Sequence, residues 1–148
     1  MVGRHDDAVT GAHRFAADLV PDALHLVFVR SSTPHARIVG IDGTAAAALP
    51  GVVAVFTAAE LPMVPVWEIE LIPERFAHPP LADGVVRYVG ERIAAVVAVD
   101  LAAALDGAEA VVVELDDLPA ITDASSAVRA GAPGLFPAHR RAPRSRRP

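Results

Sequence analysis

Along residues 24–30, LHLVFVR, apolar positions alternate so that Leu24, Leu26 and Phe28 share one face while His25, Val27 and Val29 share the other. This pattern predicts a strand covered on both sides. After the turn residues 31–34, a second strand is predicted over 37–42, and Gly43-Thr44 then opens a short alanine-rich helix with Thr44 as its N-cap. Pro50-Gly51 stops that helix, residues 52–57 form a third strand, and a single helical turn follows at 58–61. Residues 85–89 and 93–99 read as strands about Gly90. The second is nearly continuous in apolar residues, as a buried central strand should be. Asp100 caps a helix over 101–110 that carries Leu101, Leu105 and Ala108 on one stripe at spacings of four and three. A further strand over 111–115 is broken by Leu118-Pro119, and 124–130 is a last short helix. The order β-β-α-β-α-loop-β-β-α-β-α predicts an α+β fold, a mixed sheet packed against a few short helices.

Residues 62–80 follow neither period. They contain five prolines together with Val64, Val66, Trp67, Ile69, Leu71, Ile72 and Phe76. Such a stretch is either a loop folded back over its own core or an apolar surface turned towards a partner domain or ligand channel. From Pro137 onward the text becomes PAHRRAPRSRRP, without apolar periodicity. The expected organisation is therefore a folded domain over 1–136 and an Arg/Pro-rich tail over 137–148, disordered or the product of an altered reading frame.

Composition narrows the function classes. With 148 residues and 53% hydrophobic content the chain can bury one substantial core. Its most apolar runs, 24–29 and 93–99, are far shorter than the roughly 20 residues a membrane span needs. Residues 1–7 hold two acidic groups and no apolar core of a signal peptide, so a cytoplasmic location is expected. The absence of cysteine excludes disulfides, thiolate metal sites and cysteine-ligated iron–sulfur clusters within these residues. All 13 basic residues are Arg, and five of them lie beyond Pro137; the other eight against 18 acidic residues leave the body at −10 and the tail at +5. An acidic body repels phosphates, so no nucleic-acid role is expected.

Candidate chemistry is sparse. His35 sits between Arg30 and Arg37 at a turn, but no second ligand stands at a metal-binding spacing, so it reads as a turn histidine bonded to backbone. Asp116 and Asp117 are neighbours on an extended segment and point to opposite faces, the wrong geometry for shared acid–base work. No glycine pattern matches a phosphate-binding loop, and Ser31 and Ser32 lack the setting of an exposed nucleophile.

Six blocks, in order, go further: TGAHRFAAD ending at Asp18, PDALHLVFVRS, HARIVGID, LPGVVAVFTAAELP, PLADGVVRYVGERIAAVVA, and LDGAEAVVVELDDLPAITDASSA. Over about residues 11–136 this succession resembles the amino-terminal α/β hammerhead domain of molybdenum hydroxylase large subunits, the family of xanthine dehydrogenase, aldehyde oxidase and carbon monoxide dehydrogenase. Two positions depart from the family text. Arg92 stands where a proline follows the VGE motif, and the R-S-P turn reads Arg30-Ser31-Ser32 with Pro34 two places later.

The resemblance implies an α/β hammerhead fold and a place in a molybdopterin-dependent oxidoreductase of the aldehyde or purine type. In the complete family enzyme, molybdopterin and a glutamate base lie in a later region, with iron–sulfur and FAD groups on other domains or subunits. It therefore implies no catalytic, cofactor-binding or metal residue on this chain, which would scaffold the molybdenum domain and be inactive alone. The implied partners are a molybdenum-binding domain or subunit and iron–sulfur and flavin subunits. By the same analogy Val66, Trp67, Ile69 and Phe76 are the candidate lining of a substrate channel or interface. The alternative is a standalone protein-interaction domain without catalysis, acting through the proline-rich stretch.

Overall fold

The computed structural model describes residues 8–61, 79–129 and 131–136. In chain order its elements are α1 (Ala16–Leu19), β1 (His25–Arg30), β2 (Ala36–Asp42), α2 (Thr44–Ala47), β3 (Val52–Thr57), β4 (Val85–Val86), β5 (Arg92–Ala98), α3 (Leu101–Ala110), β6 (Val112–Asp117) and α4 (Ala124–Ala127). The α+β class expected from the pattern holds. Its strands are divided between two three-stranded antiparallel sheets, ordered β1-β5-β3 and β4-β2-β6.

The apolar run 93–99 becomes β5, the central strand of the first sheet, with Ala94, Val96 and Ala98 fully buried. Three bulges shape the sheets. Val53 is the extra residue between Val52 and Ala54, Val39 the extra residue between Ile38 and Gly40, and Ile93 the extra residue opposite the Val29–Arg30 step. Val39 and Val53 are thereby turned to solvent, whereas Ile93 enters a core cluster with Ala36, Ala82 and Val86. A second cluster gathers Ala46, Val96 and Val111. Ile41 and Val113 pack against both clusters, which joins the two sheets. Removing Ile93, Val86 and Val96 from water contributes about 1.5–3 kcal/mol for each side chain.

Helix α3 lies on the first sheet and against α2, but of the stripe the pattern predicts only Ala108 packs on the core. Leu101 and Leu105 are about half exposed, and the buried residues are Ala104 and Gly107. The cause is close approach: a Cβ on Gly107 would stand 2.8 Å from Val96 Cγ1 and 3.0 Å from Val52 Cγ2. Only small residues fit between helix and sheet, so the leucines are displaced outward.

Other boundaries shift for local reasons. Thr44 is the first helical residue and not the cap; Gly43 holds the N-cap position, and Asp42 Oδ1 accepts from Thr44 N at 2.9 Å. The strand expected over 85–89 ends at Val86 because Tyr88 to Glu91 turn, with Gly90 at φ +86°, a conformation open to glycine. The turn after β3 closes on Thr57 O, which accepts from Glu60 N and Leu61 N. Asp100 caps α3 as expected, its carboxylate accepting from Ala103 N at 2.8 Å. Helix α1 has no counterpart in the pattern reading; Asp18 Oδ2 accepts from Phe15 N at 2.8 Å and fixes that turn.

Candidate functional site

Val66, Trp67, Ile69 and Phe76, the residues singled out for a channel or interface, lie outside the described residues, as do the 62–78 portion of the proline-rich stretch and the 137–148 tail. Three other features of the fold could carry function.

The first is a set of buried polar residues at the ends of the strands. Ser31, His35 and Glu91 are its buried polar residues. Ser31 Oγ donates to Thr33 O at 2.8 Å and accepts from Thr33 N at 3.1 Å, while the Ser31 backbone exchanges bonds with Gly90 and Glu91. His35 Nδ1 lies 2.8 Å from Pro119 O, and His35 O accepts from Leu118 N, so this is the turn histidine that its sequence setting suggested. Glu91, which the sequence reading passed over, accepts from the Arg87 backbone N–H and pairs with Arg87 Nη1 at 3.4 Å. Arg87 Nη1 also donates to Val85 O at 3.0 Å. A glutamate directly after a turn glycine, four residues past an arginine, was the available signal. Each buried group thus engages backbone: Ser31 at the end of the β1–β5 pair, His35 at the end of the β2–β6 pair, and Glu91 between the segment after β4 and the start of β5. Asp116 and Asp117 are exposed on β6, opposite Arg37 and Ala36 of β2.

The second feature is the outer face of the first sheet. Register aligns Leu26, Val97 and Ala54 in one row and Phe28, Ala95 and Phe56 in the next. Leu26 is 51% exposed, and Phe28, Val97 and Phe56 are only partly covered. The expected two-sided cover of β1 is therefore a correction: α3 occupies the Val29 face, and among the described residues no helix comparably covers the other face, where Leu26 is exposed. Arg30 and Arg92 bring their guanidinium carbons to 5.6 Å and 5.3 Å from the Phe28 ring centre, a cation–π arrangement at one end of this face.

The third is a cleft of about 590 Å³ between β2, α2 and the turn after β3. Ile38, Ile41 and Val55 line it, with Asp42, Glu60 and Asp83 among its polar residues. The Thr44 backbone N–H, and then its side chain, hold the Asp42 carboxyl below the usual carboxylate range. Among the described residues no group of three His, Cys, Asp or Glu side chains converges as metal ligands would.

Residues 10–119 match the model of the aldehyde oxidase and xanthine dehydrogenase a/b hammerhead domain. The chain belongs to this family. The hammerhead domain here is 43% identical over 138 residues to the gamma subunit of the 6-hydroxypseudooxynicotine dehydrogenase complex of Paenarthrobacter nicotinovorans, covering 87% of this chain and 17% of that one. It is 38% identical to the carbon monoxide dehydrogenase large chain of Hydrogenophaga pseudoflava, over 86% of this chain and 16% of the relative. Among solved structures, quinoline 2-oxidoreductase from Pseudomonas putida 86 superposes with a TM-score of 0.74 at 39% identity, covering 89% of this chain and 18% of that chain. Aldehyde oxidoreductase from Desulfovibrio gigas reaches a TM-score of 0.78 at 32% identity, over 88% and 15%. The hammerhead chain thus spans about one sixth of the length of the curated relatives it matches. A further relative, 33% identical over 81% of this chain, is the xanthine dehydrogenase molybdenum-binding subunit of Escherichia coli O157:H7. Among the described residues no helix is long and apolar enough to cross a membrane.

Proposed function

We propose that this domain is a packing element of a molybdenum-dependent hydroxylase or dehydrogenase large subunit: it scaffolds the molybdenum domain and has no activity by itself. The observation that carries the reading is the open face of the first sheet. Two apolar rows, with Leu26 half exposed, would be covered when the rest of a large subunit packs on them. The buried polar residues support the same division of labour. Ser31, His35 and Glu91 are all turned to the chain's own backbone, and a molybdopterin, which needs many convergent donors, does not fit such a set. The cofactor and the glutamate base then belong to other parts of the complete protein, and iron–sulfur and flavin groups to further domains or subunits. In this reading the folded unit ends near residue 136 and the complex is cytoplasmic. Val66, Trp67, Ile69 and Phe76 border the substrate channel.

The test is a chimera. Residues 10–119 of this chain replace the corresponding domain of the 43%-identical gamma subunit, and molybdenum content and hydroxylation are measured on the purified complex. Retention of both supports scaffolding. Loss of molybdenum from a chimera whose domain is folded, or stoichiometric molybdenum on this chain alone, overturns it. Leu26→Glu in the chimera should weaken assembly, and Trp67→Ala should alter substrate selectivity; indifference to both would remove the interface and the channel assignments respectively.

A further inference from the structure

The bulge at Ile93 also sets where charge falls on the outer face of the first sheet. By inserting one residue opposite the Val29–Arg30 step it reverses the alternation of β5, so that Arg92 stands opposite Arg30 and on the Phe28 side of the sheet. The face is thereby divided along its length. At one end lie Leu26, half exposed, and Val97, only partly covered; at the other, Arg30 and Arg92 flank the half-buried Phe28 ring.

The two guanidinium groups lack counter-charge. Arg30 Nη1 donates to Gly90 O at 2.8 Å, and Glu91, the acid next to Arg92 in sequence, is taken up by Arg87. Among the described residues no carboxylate pairs with Arg30 or Arg92, and no hydrogen bond uses the Arg92 guanidinium. A guanidinium presents a planar fork of N–H donors that matches a carboxylate. The body as a whole is acidic, at −10, and repels a second carboxylate, so this end of the face is where one can be accepted.

We propose that the face takes an apolar segment of the remaining large subunit that carries an Asp or Glu, its apolar side chains on the Leu26–Val97 row and its carboxylate at the Arg30–Phe28–Arg92 end, about 13 Å further along the strands. This pairing rests on the packing role proposed above and fixes the partner's direction. Reversing the segment would set its carboxylate on the Leu26 row and leave both arginines unpaired.

Two probes of equal size and opposite charge, phenylbutyrate and phenylbutylammonium, read the face in the full 148-residue chain. Signals of the Leu26 methyls and the Phe28 ring report binding in an NMR titration at low ionic strength. Net charge, −5 for the whole chain, favours the ammonium, so a carboxylate preference has to come from the local arginines. Phenylbutyrate should bind at least about threefold more tightly, as two surface charge pairs allow. The preference should vanish in about 1 M salt, where the Debye length is about 3 Å, and in Arg30→Gln/Arg92→Gln. Salt needs no substitution, so the result stands even where the double variant folds poorly. Equal affinities, an ammonium preference, or a carboxylate preference that survives salt overturns the proposal. So does a failure of both probes to move the two signals, which would mean that the face is already covered within this chain. Movement of those signals with protein concentration alone also overturns it and makes a second copy the occupant. Neither probe involves molybdenum: loss of the metal from the chimera would strike the packing role, whereas equal probe affinities would strike the acidic partner alone.

Discussion

Gly107→Ala is the sharpest test of how α3 sits on the sheet. In an exposed helix interior the change should stabilise by about 1 kcal/mol, because alanine has the higher helix propensity. Here the new methyl would meet Val96 Cγ1 at 2.8 Å and Val52 Cγ2 at 3.0 Å. Val52 is partly exposed beside a bulge and can shift. Val96 cannot: it is fully buried, β-branched, and held between Val27 and Val55 on the flanking strands. Overpacking of this kind costs about 1–3 kcal/mol, which outweighs the propensity gain. The net expectation is destabilisation by about 1–2 kcal/mol, or a fall in Tm of roughly 3–8 °C for a domain of this size. Urea unfolding followed by circular dichroism measures it. Val96→Ala in the same chain should recover part of the loss, so the double variant falls short of additivity by about 1 kcal/mol. A higher unfolding midpoint for Gly107→Ala would refute the close-packing argument and restore the leucine stripe as the buried face.

The same geometry predicts that Leu105→Ser changes stability by less than about 1 kcal/mol, since Leu105 is 47% exposed, whereas Ala104→Leu, at a fully buried position, destabilises by about 1–3 kcal/mol. Parallel urea titrations compare them, and a reversed order would show that α3 is rotated. Glu91→Gln keeps an acceptor for the Arg87 backbone N–H but removes the charge beside its partly buried guanidinium, so a loss of about 1–3 kcal/mol is expected in the same assay. No change would mean that the pair contributes nothing to stability. Bonds from Ser125 and then Ser126 lower the Asp123 carboxyl to about 2. A folded value below the unfolded one means that the cap stabilises α4 above about pH 4 and that this is lost as pH falls towards 2. A carboxyl carbon titration should show that midpoint, and Ser125→Ala should raise it; an ordinary midpoint near 4 in the parent chain would contradict the bonding.

Membership of the hammerhead family was legible in six ordered blocks of text, and most elements in the period of the apolar residues. Strands β2, β3 and β5 and helix α3 fall within a residue of their expected bounds, because alternation, an Asp cap and Pro-Gly stops act locally. What local signals could not supply is which apolar residue meets which. Leu101 and Leu105 outrank Ala104 and Gly107 in hydrophobicity, yet helix–sheet distance decided for the small pair. Alternation in β1 gave two apolar faces and could not say that α3 would cover only one. Glu91 looked like a turn residue until Arg87 and the neighbouring strands enclosed it. The sequence by itself determined the family, the element order and the acidic body with its basic segment, since each depends on neighbours along the chain. Tertiary structure decided the division into two sheets, the open face and the acidic cleft, since these depend on residues far apart in sequence and on the volumes available where they meet.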